Sequence, residues 1–131
     1  MAMEQALAEA AKGTGMELLV LFGSRVRGEV HPHSDWDLGY IGEGQGEGQS
    51  DVELLRDRFM QVLGTDSIDL VDLSRASALL RFQAASEGKP ILEGAPGVFQ
   101  QFQIEAATFW CDIEPVLRRV YAQILEEVKA A

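Results

Sequence analysis

The stretch LFGSRVRGEVHPHSDWDLGYI, Leu21 to Ile41, limits the fold of this chain more than any other segment. It opens at the end of MELLVLF, which reads as a buried strand running into a Gly23-Ser24 turn. After ten intervening residues, DWDLGYI alternates polar and apolar residues, so a second strand begins at the aspartates. The connection contains Gly28 and Pro32 and can hold at most a short helix before a loop. Two strands therefore bracket a Gly-Ser turn at one end and paired acids at the other.

The remaining sequence alternates helical and strand patterns. MEQALAEAAKGTG predicts a helix ended by Gly13 and Gly15, ahead of the first strand. GEGQGEGQS, Gly42 to Ser50, predicts a flexible acidic loop; Glu43 and Glu47 would repel a phosphate, so its glycines read as a linker and not as a phosphate cradle. Asp51 is placed to cap a helix VELLRDRFMQVLG, SIDLVDL is a third strand, and a further helix is expected from a cap near Ser74. KPILEG adds a short extended piece after Gly88. From about residue 97 the chain reads as helix, with Phe102, Ala106, Phe109, Ile113, Val120, Ile124 and Val128 in one stripe and Pro115 expected to kink or divide it. The sum is an α/β (α+β) fold, a small mixed β-sheet flanked by helices, in one domain spanning 1–131 without internal repeats.

Composition sets the function classes aside that do not fit. An apolar fraction of 47% with 24% charged residues is that of a globular protein and fits neither disorder nor a membrane protein. A net charge of -10 without a basic patch makes nucleic acid an unlikely partner. Cys111, the single cysteine, excludes an internal disulfide, and the opening residues lack the basic and apolar regions of a secretion signal; a cytoplasmic location is expected.

The acids carry the chemistry. Along a strand, Asp35 and Asp37 face one side and Trp36 the other, with α-carbons about 6.6 Å apart. Two carboxylates within about 4 Å repel by roughly 4 kcal/mol at an effective dielectric near 20, which calls for a cation between them, and oxygen-only ligands suit magnesium. Magnesium completes its shell with water and phosphate oxygens. Gly23 and Ser24 at a strand-to-helix turn, with Arg25 and Arg27 beyond, supply a place for those phosphates. A third carboxylate on a neighbouring strand would complete a two-ion site. In SIDLVDL the alternation sets Asp69 and Asp72 on opposite faces, and Asp69, mid-strand, is the choice.

Gly23-Ser24, ten residues, Asp35-x-Asp37 and then Asp69 together resemble the polymerase beta-like nucleotidyltransferase superfamily, and within it the minimal nucleotidyltransferase (MNT) branch. The resemblance implies that Gly23 and Ser24 contact a triphosphate, Arg27 lies by its β- and γ-phosphates, Asp35 and Asp37 hold two magnesium ions, and Asp69 joins them and helps activate an acceptor hydroxyl. It implies transfer of a nucleotide, AMP from ATP, with release of pyrophosphate. It also implies a small helical HEPN-type partner in a toxin–antitoxin module, where the MNT chain is the antitoxin and the acceptor is a hydroxyl of the toxin. Two other functions stay open: a non-catalytic module that sequesters its partner, and a nucleotidyltransferase acting on a small molecule. Oligomer formation stays open as well.

Other eye-catching residues read more plainly. His31 and His33 flank Pro32 in a loop and have no further histidine to complete a metal site. Trp36 is expected in the core, and Cys111 is a small apolar helix residue.

Overall fold

The computed structural model describes residues 2–28, 35–42 and 48–130. His31, His33, Glu43 and Glu47 lie outside the described residues.

Nine elements follow one another: α1 (Ala2–Ala11), β1 (Met16–Phe22), α2 (Ser24–Arg27), β2 (Trp36–Gly42), α3 (Gly48–Leu63), β3 (Ile68–Asp72), α4 (Ala78–Glu87), β4 (Lys89–Glu93) and α5 (Val98–Ala130). The strands form one mixed sheet in the order β3-β2-β1-β4. β1 runs antiparallel to β2 and β4, while β2 and β3 are parallel. A parallel pair needs a crossover, which α3 supplies.

Strand alternation divides the core into two layers. Leu19, Leu21, Leu38 and Ile68 face α1 and α3, where they meet Leu7, Ala11, Leu55 and Phe59. Leu18, Val20 and Phe22 face the other way, onto Leu73, Ala84, Ala85, Phe102 and Ala106. Asp37 and Asp69 alternate with Leu38 and Ile68, so they belong to this second face, the one covered by α4 and α5.

The helix boundaries depart from expectation in three places. α3 starts at Gly48, three residues inside the stretch expected to be loop and ahead of the expected cap Asp51. α4 is capped by Ser77, not near Ser74: Ser77 Oγ accepts the Leu80 N–H at 3.2 Å. Ser74 is instead tied into a turn, its N–H and hydroxyl both donating to Asp72 Oδ1 at 3.0 and 2.6 Å. Ser77→Ala removes the partner of one orphan N–H and is expected to lower stability by about 1 kcal/mol, measured by urea denaturation.

The third departure is α5, a single helix of 33 residues that runs through Pro115 undivided. Proline there withholds one N–H from the Cys111 carbonyl. Both residues are exposed, so water can satisfy that oxygen. Only the first part of the apolar stripe is core: Phe102 and Ala106 are buried, and Trp110 stacks on Phe82 at 5.6 Å. From Cys111 to Ala130 no residue is buried, and Val120, Tyr121, Ile124, Leu125 and Val128 are open to solvent.

Candidate functional site

β1 delivers the chain to Gly23, whose backbone turns with φ 82° and ψ -155° before the short helix α2. Side chains are excluded here twice over. That conformation is essentially restricted to glycine, and a Cβ on Gly23 would stand 2.1 Å from Asp37 Oδ2. The missing side chain of Gly23 thus makes the space that the Asp37 carboxylate fills.

Asp37 of β2 is paired with Phe22 of β1 on one side and with Asp69 of β3 on the other. Because β2 and β3 are parallel and in register at this pair, the two acids rise side by side from the same face of the sheet. They line a cleft of about 250 Å³ together with Phe22, Gly23 and Arg27 on one side and Leu80, Gln83 and Glu87 of α4 on the other. Arg27 Nη1 donates to Glu87 Oε2 at 3.0 Å.

The other expected residues stand nearby. Asp35 precedes β2 and is exposed, and Ser24 is the first residue of α2; neither lines the cleft. Trp36, on the opposite face from Asp37, is half-buried against the α1–α3 core, with the Arg25 guanidinium 4.0 Å above its ring. Asp72 is engaged by Ser74 and lies 3.7 Å from Arg75 Nε. Leu80, Gln83 and Glu87 were not anticipated. Their positions three and four apart mark one face of α4, yet only the docking of that helix on the sheet reveals what the face meets.

Burial pushes the Asp37 carboxyl above the ordinary carboxylate value of 3.8, the charges of Asp69 and Asp35 push it the same way, and Arg27 pulls it back. A carboxyl whose pKa is higher folded than unfolded takes up protons on folding. Its contribution to stability is therefore present at low pH and is lost as pH rises from 3.8 through the raised value. In metal-free buffer the urea stability of the protein, minus that of Asp37→Asn, is expected to fall across that window; a flat difference would contradict it.

Among the described residues, no three His, Cys, Asp or Glu side chains are gathered into a closed metal cage. The acids of the cleft offer instead an incomplete set of oxygen donors carrying excess negative charge. One or two carboxylates with the remaining positions left to water and phosphate is an arrangement magnesium accepts.

The profile of the polymerase beta nucleotidyltransferase family matches residues 4–96, from α1 through β4 and with every acid of the cleft. The chain belongs to that family. Among curated proteins, the protein adenylyltransferase MntA of Aphanizomenon flos-aquae (strain 2012/KM1/D3) is 32% identical over 99 residues, 67% of this chain. The chain spans 64% of that relative's length. Among solved structures, a crystal structure of a toxin–antitoxin with AMP-PNP superposes with a TM-score of 0.79 at 20% identity, covering 93% of this chain and 98% of the other. A tri-AMPylated Shewanella oneidensis HEPN toxin in complex with an MNT antitoxin gives 0.73 at 18% identity, covering 94% and 96%. The two solved structures share the fold of this chain. Coverage of that extent is not reached without α5, so the long C-terminal helix belongs to the shared architecture although it lies beyond the family profile.

Proposed function

We propose that this chain is a magnesium-dependent nucleotidyltransferase that moves AMP from ATP to a hydroxyl of a partner protein, and that it serves as the antitoxin of a HEPN/MNT pair. The observation that carries the reading is the side-by-side placement of Asp37 and Asp69 in one cleft with Gly23 and Arg27. Asp37 and Asp69, with Asp35 at the head of β2, are the residues that would hold magnesium. Bound there, magnesium neutralises the charge of the triphosphate and of the departing pyrophosphate.

The chain's own residues do the rest. Gly23 lets backbone come close to the phosphates, Ser24 offers a hydroxyl donor, and Arg27 offers a guanidinium to the β- and γ-oxygens. Asp69 accepts the proton of the acceptor hydroxyl as its oxygen bonds to the α-phosphorus and the bond to the bridging oxygen breaks. Catalysis of this kind is positioning and charge neutralisation, which a small fold can supply. The exposed apolar run of α5, from Val116 to Val128, supports a helical protein as the partner. No helix among the described residues is long and apolar enough to cross a membrane, which agrees with a cytoplasmic site of action.

The test is to incubate the protein with magnesium, ATP labelled at the α-phosphate, and a small helical HEPN-type protein. Label is expected on the partner, and none when the γ-phosphate carries it. Tight complex formation with no transferred label would leave sequestration as the function, and label on a small molecule without any partner would assign the third reading.

A further inference from the structure

We propose that the Arg27–Glu87 ion pair is a latch on the nucleotide cleft: Glu87 occupies the guanidinium that a triphosphate would engage, and binding requires the pair to open. The latch rests on the nucleotidyltransferase reading above and adds a residue, on a different element, that sets nucleotide affinity.

The two partners come from distant parts of the chain. Arg27 ends α2 and Glu87 ends α4, and their side chains meet at 3.0 Å while both lining the cleft. Among the described lining residues Arg27 is the one cation, set against the carboxylates of Asp37, Asp69 and Glu87. A triphosphate entering this cleft therefore meets its most favourable partner already engaged by an anion. Gln83, one turn earlier on α4, lines the same wall without adding charge.

The pair is suited to opening. Its side chains are 43% and 39% exposed, so the attraction is screened by water and salt and is weak enough for a polyanion to displace. Displacement leaves Glu87 at the solvent-exposed end of α4, where its carboxylate can be hydrated. The acid thus lowers occupancy by any ligand that needs Arg27, and does so most at low ionic strength.

Calorimetric titration of ATP, with and without magnesium, into the intact wild-type chain and Glu87→Gln tests this. The variant is expected to bind about threefold to fivefold more tightly in low-salt buffer, the size of an exposed ion pair, with the difference vanishing near 1 M salt. In an Arg27→Ala background, Glu87→Gln is expected to add nothing. Equal or weaker binding by Glu87→Gln overturns the latch, since Glu87 would then be inert or would orient Arg27 productively. A gain that survives Arg27→Ala overturns it too, because simple repulsion would explain the effect. Wild-type binding that the substitution leaves unchanged removes the latch and keeps the nucleotide reading; no binding by either protein removes both. Glu87→Ala, compared by thermal melting, serves as the second variant should Glu87→Gln fail to fold.

Discussion

Asp37→Asn is expected to reduce nucleotidyl transfer by at least about a thousandfold while raising the melting temperature of the metal-free protein. The two effects have one cause. Asp37 sits among burial, Asp69 and Asp35, all of which disfavour its charge, while Arg27 favours it. The folded protein therefore holds a carboxylate that its own surroundings resist, and a neutral amide of the same shape removes that resistance. The same excess negative charge is what would draw a cation, and through it a triphosphate, into the cleft, so its loss removes function as it relieves the fold. Activity assays beside thermal melts of one protein preparation check both parts. Unchanged activity would sink the catalytic assignment of Asp37, whereas an inactive variant that melts lower would make the residue a structural one.

The fold was legible wherever alternation and breakers agree. The strand runs at Met16, Asp35, Ser67 and Lys89 each contain an observed strand: the runs at Asp35 and Ser67 alternate with the period of a pleat, and the run at Met16 is a short apolar stretch bounded by glycines. Helix starts were less legible. Ser74 and Ser77 are equally good caps in one dimension; the carboxylate of Asp72, at the end of β3, takes the first of them into a turn and leaves the second to α4. Pro115 leaves the helix undivided for a related reason. The penalty for a proline inside a helix depends on whether water can reach the freed carbonyl, and this depends on tertiary packing that the sequence does not display.

The cleft was half legible. Alternation puts Asp37 opposite to Trp36 and Asp69 opposite to Asp72, the mid-strand position of Asp69 selects it, and the parallel register of β2 and β3 brings Asp37 and Asp69 side by side. Period cannot say which helix lies over that face, so Gln83 and Glu87 carried no signal before α4 was docked. The apolar stripe of α5 shows the converse. Its period is helical throughout, yet burial ends near Trp110, because a helix of about 50 Å outruns the sheet and α4 that could cover it.

Gly23→Ala is expected to cost about 3 kcal/mol of stability and to abolish transfer even in the fraction that folds. Gly28→Ala separates the two contributions. Gly23 and Gly28 have nearly equal φ, 82° and 80°, so a side chain strains the backbone at both. At Gly28 the backbone is left-handed helical with ψ 9° and a Cβ meets nothing within 4 Å, so the expected loss is about 1 kcal/mol with transfer retained. At Gly23 the Cβ would stand 2.1 Å from Oδ2 and 3.0 Å from Cγ of Asp37, so either the turn or the carboxylate must move. Moving the carboxylate takes it away from Asp69 and dismantles the pair; moving the turn shifts the start of α2 and with it Arg27. Urea denaturation and the α-phosphate transfer assay on both variants decide the matter. If Gly23→Ala behaves like Gly28→Ala, the close approach of the turn to Asp37 has no part in building the site; if it loses transfer beyond its loss of folded protein, the absent side chain of Gly23 is what positions the catalytic acid.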